Sequence, residues 1–145
     1  MKKFLTVFMV ILGVSIMLAS QKMQMELITY WKTNGIEYFE DDESIILPLT
    51  ENLDTTIFIV KEHDYIYFVF NMDTVIDDFI EVVKNTEKLP YSKEFREDLF
   101  DCLMENLTYY TTFNRTLDPY YEWIEDYLVY VNFFVRDDYV FLGID

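Results

Sequence analysis

The chain has 145 residues, with 27 Asp and Glu against 11 Lys and Arg, a formal charge of −16. Such a surface repels phosphate backbones and anionic lipid, which excludes nucleic acid as a natural partner and leaves cations, basic proteins and basic peptides electrostatically favoured. Hydrophobic residues make up 52% of the chain and aromatics 19%, too many for a disordered segment, while a single Cys102 rules out any intramolecular disulfide.

Lys2 and Lys3 precede an uncharged apolar run from Phe4 to Ala19, the layout of a secretory signal. The run is shorter than the ~20 apolar residues that span a bilayer comfortably, so cleavage after Leu18-Ala19-Ser20 is expected, leaving Gln21 first. Leu18 is bulky where a small residue is preferred, and an uncleaved N-terminal anchor is the alternative. Residues 21–145 then form a single α+β domain that is exported, periplasmic or extracellular. All 27 acidic residues lie in that part.

Met23, Leu27, Tyr30 and Trp31 recur at helical spacing, and Gly35 supplies a left-handed stop, predicting a helix over 22–34. Short β-type runs follow at Ile36–Glu40, Ser44–Leu49, Thr55–Lys61 and Tyr65–Phe70, separated by charged turns that read as hairpins. Two of these runs are apolar almost throughout, which predicts a sheet with both faces covered by helices. Residues 26–70 resemble, in element order, the start of type III secretion chaperone-like modules. The similarity spans about a third of the chain and carries no functional motif.

Ile76, Phe79, Ile80 and Val83 mark a second helix with Asp73 as its expected cap, and Pro90 lies beyond it. A third begins after Ser92 and presents Phe95, Leu99, Cys102, Leu103 and Leu107 on one side. β character is then expected at Leu107–Phe113, at Tyr127–Arg136 and at Tyr139–Ile144, the last two paired across Asp137-Asp138. Asp118-Pro119 has the form of a cap followed by a proline at the first helical position, suggesting a short helix over Pro119–Glu125, with a strand as the alternative. The expected architecture is α+β: antiparallel hairpins or a meander packed with about three helices, after the signal helix.

With three glycines in the chain, neither phosphate-cradling loop pattern can be written. Ser44 and Ser92 are the only serines of the mature chain, and neither lies in a nucleophile elbow. Cys102 and His63 are the single members of their types, and a thiolate–imidazole pair is far less expected than a core cysteine and a turn histidine. No cofactor or metal is implied, because one His and one Cys are too few for zinc. The acidic runs Glu40-Asp41-Asp42-Glu43, Asp77-Asp78, Glu125-Asp126 and Asp137-Asp138 lack calcium-loop spacing.

The aromatics are the most individual feature. Tyr109, Tyr110, Tyr120, Tyr121 and Trp123 are the candidate interaction surface, since a tyrosine doublet in a strand places one ring on each sheet face and Tyr and Trp suit interfaces. The expectation is a small exported non-catalytic binding protein that contacts an unidentified protein or peptide, a basic one being favoured by charge. A divalent-cation-responsive envelope protein and a small hydrolase are the alternatives. Two glycosylation sequons, at Asn106 and Asn114, read as chance matches.

Overall fold

The computed structural model describes residues 22–63 and 65–145. The expected signal segment lies outside them.

Residues 22–34 are helical (α1), as the spacing predicts. Met23, Leu27 and Trp31 are fully buried on one face, and Gly35 ends the helix with φ +64°. Ile36 turns its N–H back to the Trp31 carbonyl at 2.9 Å. It therefore completes the helix end, and only Phe39–Glu40 of the expected Ile36–Glu40 strand pairs (β1). The Trp31 indole donates to the Lys88 carbonyl at 2.9 Å, fastening α1 to the loop beyond the second helix.

The strands β2 (Ser44–Pro48), β3 (Thr55–Val60) and β4 (Ile66–Asn71) form the expected meander. A short helix α2 (Val75–Asp78) runs straight into a π-helical turn, Phe79–Val83, closed by the Lys84 N–H on the Phe79 carbonyl. The buried residues are Val75, Phe79 and Val83, four apart, whereas Ile76 and Ile80 of the expected stripe are exposed. The residue at the cap is Thr74 rather than Asp73. Its hydroxyl donates to Asp78 at 2.8 Å.

Helix α3 spans Lys93–Phe113, its start fixed by Ser92, whose hydroxyl accepts the Phe95 N–H at 3.0 Å. This overturns the strand expected over Leu107–Phe113. Leu103, Asn106 and Leu107 keep helical spacing on the buried side, so packing overrides the β preference of Thr108 to Phe113. The hydroxyls of Thr111 and Thr112 bond back to the Thr108 carbonyl. Asn114 ends the helix in the left-handed region, φ 50°.

Pro119–Glu125 is not a helix: Tyr120–Ile124 is strand β5, paired with β6 (Tyr127–Arg136). An edge strand tolerates the missing proline N–H beside it, and β5 is such an edge. The hairpin of β6 with β7 (Tyr139–Ile144) is as expected, its turn made by Asp137 and Asp138 at φ 49° and 67°, a two-residue turn that demands left-handed residues.

All seven strands form one antiparallel sheet in the order β1-β2-β3-β4-β7-β6-β5. β7 lies between β4 and β6 and so joins the early meander to the late hairpin. Residues alternate in every central strand. Ile57 and Ile59, Phe68 and Phe70, Val131 and Phe133, Val140 and Leu142 point inward and are buried with the helices. Phe79 of the π turn packs on Phe70, Phe95 of α3 on Tyr127, and Tyr110 of α3 on Phe133. The architecture is thus α+β, with the described helices on one side of the sheet, so that among the described residues no helix supplies the cover expected on the second face.

Candidate functional site

The other face of the sheet follows from the same register. Phe39, Ile46, Phe58, Tyr67, Gly143 and Asn132 line up across six neighbouring strands, and Tyr121 stands opposite Tyr130 at the β5 end. Apart from the buried Gly143, these residues are half-buried or exposed, Trp123 and Phe39 most of all at 61% and 68% exposed. Among the described residues their rings contact one another rather than a helix. Phe58 and Tyr65 both pack against Tyr67, Tyr67 meets Phe134 edge-on at 6.0 Å, and Phe134 stacks on Phe141 at 4.6 Å. Tyr121 and Tyr130 lie 5.0 Å apart. Ring pairs of this geometry prefer offset or edge-on contact and stiffen the surface.

Gly143 makes that surface continuous. A Cβ there would stand 2.7 Å from the Tyr67 ring and 3.3 Å from Tyr65, so only glycine lets Tyr67 lie across the neighbouring strand. Burial, with the carboxylate of Asp145 nearby as the lesser cause, holds the Tyr65 and Tyr67 hydroxyls above the ordinary phenol range. Both remain protonated donors at neutral pH.

The charges are distributed around this band. Among the described residues no Asp or Glu occupies an outward position within the seven strands; the charged side chains of this face stand at its borders, Arg136 beside Asp137 at 3.6 Å and Asp145, which follows β7 and exchanges backbone hydrogen bonds with Tyr130. The acids sit in the turns instead. Asp41, Asp42, Glu43, Glu62, Glu125 and Asp126 gather at one end of the strands, and Glu51, Asp54, Asp73, Asp137 and Asp138 at the other.

The five tyrosine and tryptophan candidates divide between different places. Tyr121 and Trp123 belong to the aromatic band. Tyr120, their neighbour, points inward, so this doublet does place one ring on each face. Tyr109 and Tyr110 are helical, not stranded: Tyr110 packs on Phe133 in the core, and Tyr109 accepts a hydrogen bond from Arg115 Nε at 3.0 Å on the α3 surface. The sequence reading missed Phe58, Tyr65, Tyr67 and Phe141 as surface residues. Their parity with Tyr121 and Trp123 was the available signal, hidden by treating a continuous apolar run as covered on both sides.

Inside the sheet, the Tyr120 hydroxyl accepts from Asn106 Nδ2 at 2.8 Å and lies 3.5 Å from Cys102 Sγ. Burial pushes the Cys102 thiol up to about 11, so it is not a thiolate at neutral pH. His63 sits in the β3–β4 turn, where its carbonyl accepts from Gln24 of α1, and the two are not brought together as a pair. Among the described residues no three His, Cys, Asp or Glu side chains converge as a metal site. Asn106 is 1% exposed, which bars its sequon from modification in the folded chain.

One groove of about 910 Å³ lies on the helical side, between Met25, Glu26 and Tyr30 of α1 and Pro90, Tyr91 and Tyr127. The Tyr127 hydroxyl donates to Glu26 at 2.9 Å across its floor. A smaller hollow of about 580 Å³ lies beside Tyr109, Arg115 and Tyr120. Neither gathers a nucleophile with a base. No protein-family model, curated protein or solved structure matches this chain.

Proposed function

We propose that this is an exported, non-catalytic binding protein that engages another polypeptide through the open aromatic face of its sheet. The observation that carries the reading is the row of half-exposed rings from Phe58 through Tyr67 and Phe134 to Tyr121 and Trp123, on the side away from the described helices. Contiguous exposed apolar patches on a small domain mark interaction sites, and Tyr and Trp are enriched at such sites because they combine a large apolar body with a polar tip. The location outside the cytoplasm is supported by Lys2, Lys3 and the apolar run to Ala19.

The test has two parts. Tagged protein is recovered from fractionated cells and its N-terminus sequenced; a chain beginning at Gln21 in the exported fraction is expected, and a cytosolic chain beginning at Met1 refutes the export. The exported fraction is then passed over immobilised wild type and Tyr121→Ser/Trp123→Ser. A partner held by the first and lost by the second is expected, whereas equal retention on both removes the face from the function.

A further inference from the structure

Resting on that reading, we propose that the polypeptide docked on the aromatic face is a cationic amphipathic segment, its apolar side chains on the ring-lined band and its lysines and arginines at the acidic turns on either end. The distribution of charge carries this. In a chain with 27 acidic residues, the outward positions of the described strands are free of Asp and Glu up to Asp145, which follows β7 opposite Tyr130 at one rim, while the turns at both strand ends carry them in groups.

The dimensions agree. The five- and six-residue strands β2, β3, β4 and β7 keep the two acidic rims about 17–20 Å apart, the gap widens to about 33 Å along the ten-residue β6, and seven strands extend the band about 29 Å in the other direction. A helix with its side chains is about 10–12 Å wide, so it seats between the rims with its flanking side chains reaching them. Lysine and arginine stems add apolar cover while their charges stay in water at the rim.

A second copy of this chain is the competing occupant, and the same charges oppose it. Face-to-face packing of two identical sheets brings both acidic rims of one copy onto those of the other, in molecules of formal charge −16 each, and like charges so placed cost several kcal/mol. An acidic partner meets the same repulsion. A cationic segment gains from the field at long range, which speeds encounter, and from ring burial at contact.

The probe is an 18-residue helical peptide of leucine and lysine, compared with the same peptide carrying glutamate in place of lysine. The chain has two tryptophans, and Trp31 is fully buried while Trp123 is 61% exposed, so protection from the neutral quencher acrylamide reports on the band. Three results are expected. The lysine peptide protects Trp123 and the glutamate peptide does not. Raising salt from 50 to 500 mM weakens binding at least tenfold, about the loss expected when rim charges are screened. Asp126→Asn/Asp137→Asn/Asp138→Asn weakens it at low salt and flattens the salt dependence, without change in melting temperature; Asn is compatible with the left-handed turn at 137 and 138.

Tyr121→Ser/Trp123→Ser, at positions already exposed, abolishes binding, read for that variant by titration calorimetry. If the rim variant binds as tightly as wild type while the ring variant does not, the cationic partner is wrong and the aromatic face stands. If the ring variant binds normally, both fall. Equal binding of the glutamate peptide overturns the proposal, as does a discrete dimer in 50 mM salt that is lost in the ring variant and excludes the peptide.

Discussion

Cys102 and Gly143 show how much rests on single positions. The Cys102 thiol is raised by burial to about 11, against ~8.5 for a free cysteine. The folded state therefore holds this proton more tightly than the unfolded one. The resulting stabilisation is complete below about pH 8.5 and is lost as pH rises through 11. Cys102→Ala should accordingly show a shallower fall in stability between those limits, the difference approaching roughly 3 kcal/mol, as set by the pKa gap, as read from urea unfolding at a series of pH values. Tyr127, raised to about 12 by burial and its bond to Glu26, extends the alkaline loss in both proteins. At Gly143 the constraint is steric. Gly143→Ala drives a methyl into the Tyr67 ring, and a loss of about 1 kcal/mol is expected, with near-ultraviolet circular dichroism altered and the far-ultraviolet spectrum kept.

Helix α3 is the element on which local signals and packing meet. Its start depends on the Ser92 hydroxyl holding the Phe95 N–H, so Ser92→Ala should lower unfolding free energy by about 1 kcal/mol while Ser92→Asp retains it, measured by thermal melting. That start was legible in the sequence, as were α1 with its Gly35 stop and the β6–β7 hairpin, because each carries a local stereochemical requirement. The far end of α3 was not. Thr108 to Phe113 prefer strands on their own, and what keeps them helical is the continued burial of Asn106 and Leu107, a tertiary fact. β5 misled in the opposite sense: Asp118-Pro119 fits a helix start locally, but hydrogen bonding to β6 decides the outcome. The site was half legible. Tyr121 and Trp123 were found from composition, whereas Tyr67 and Phe134 lie in strands so apolar that the sequence could not say whether helices of this chain or an external partner would cover their outer side.

At the level of the whole fold, among the described residues one sheet is packed by helices on one side and wetted on the other, while its acids are kept to the margins. The wet side is a colloidal problem, since aromatic surfaces on neighbouring molecules attract at short range. Mutual repulsion of the strongly anionic chains counters that attraction at neutral pH. Near pH 4.2, about where the composition brings the net charge to zero, the repulsion vanishes. Light scattering at fixed concentration should therefore rise steeply as pH falls toward that value, and Tyr121→Ser/Trp123→Ser should scatter less at the same pH. The acidity first encountered as a bulk property of the composition thus acts as a dispersant for the aromatic face that the described helices leave open.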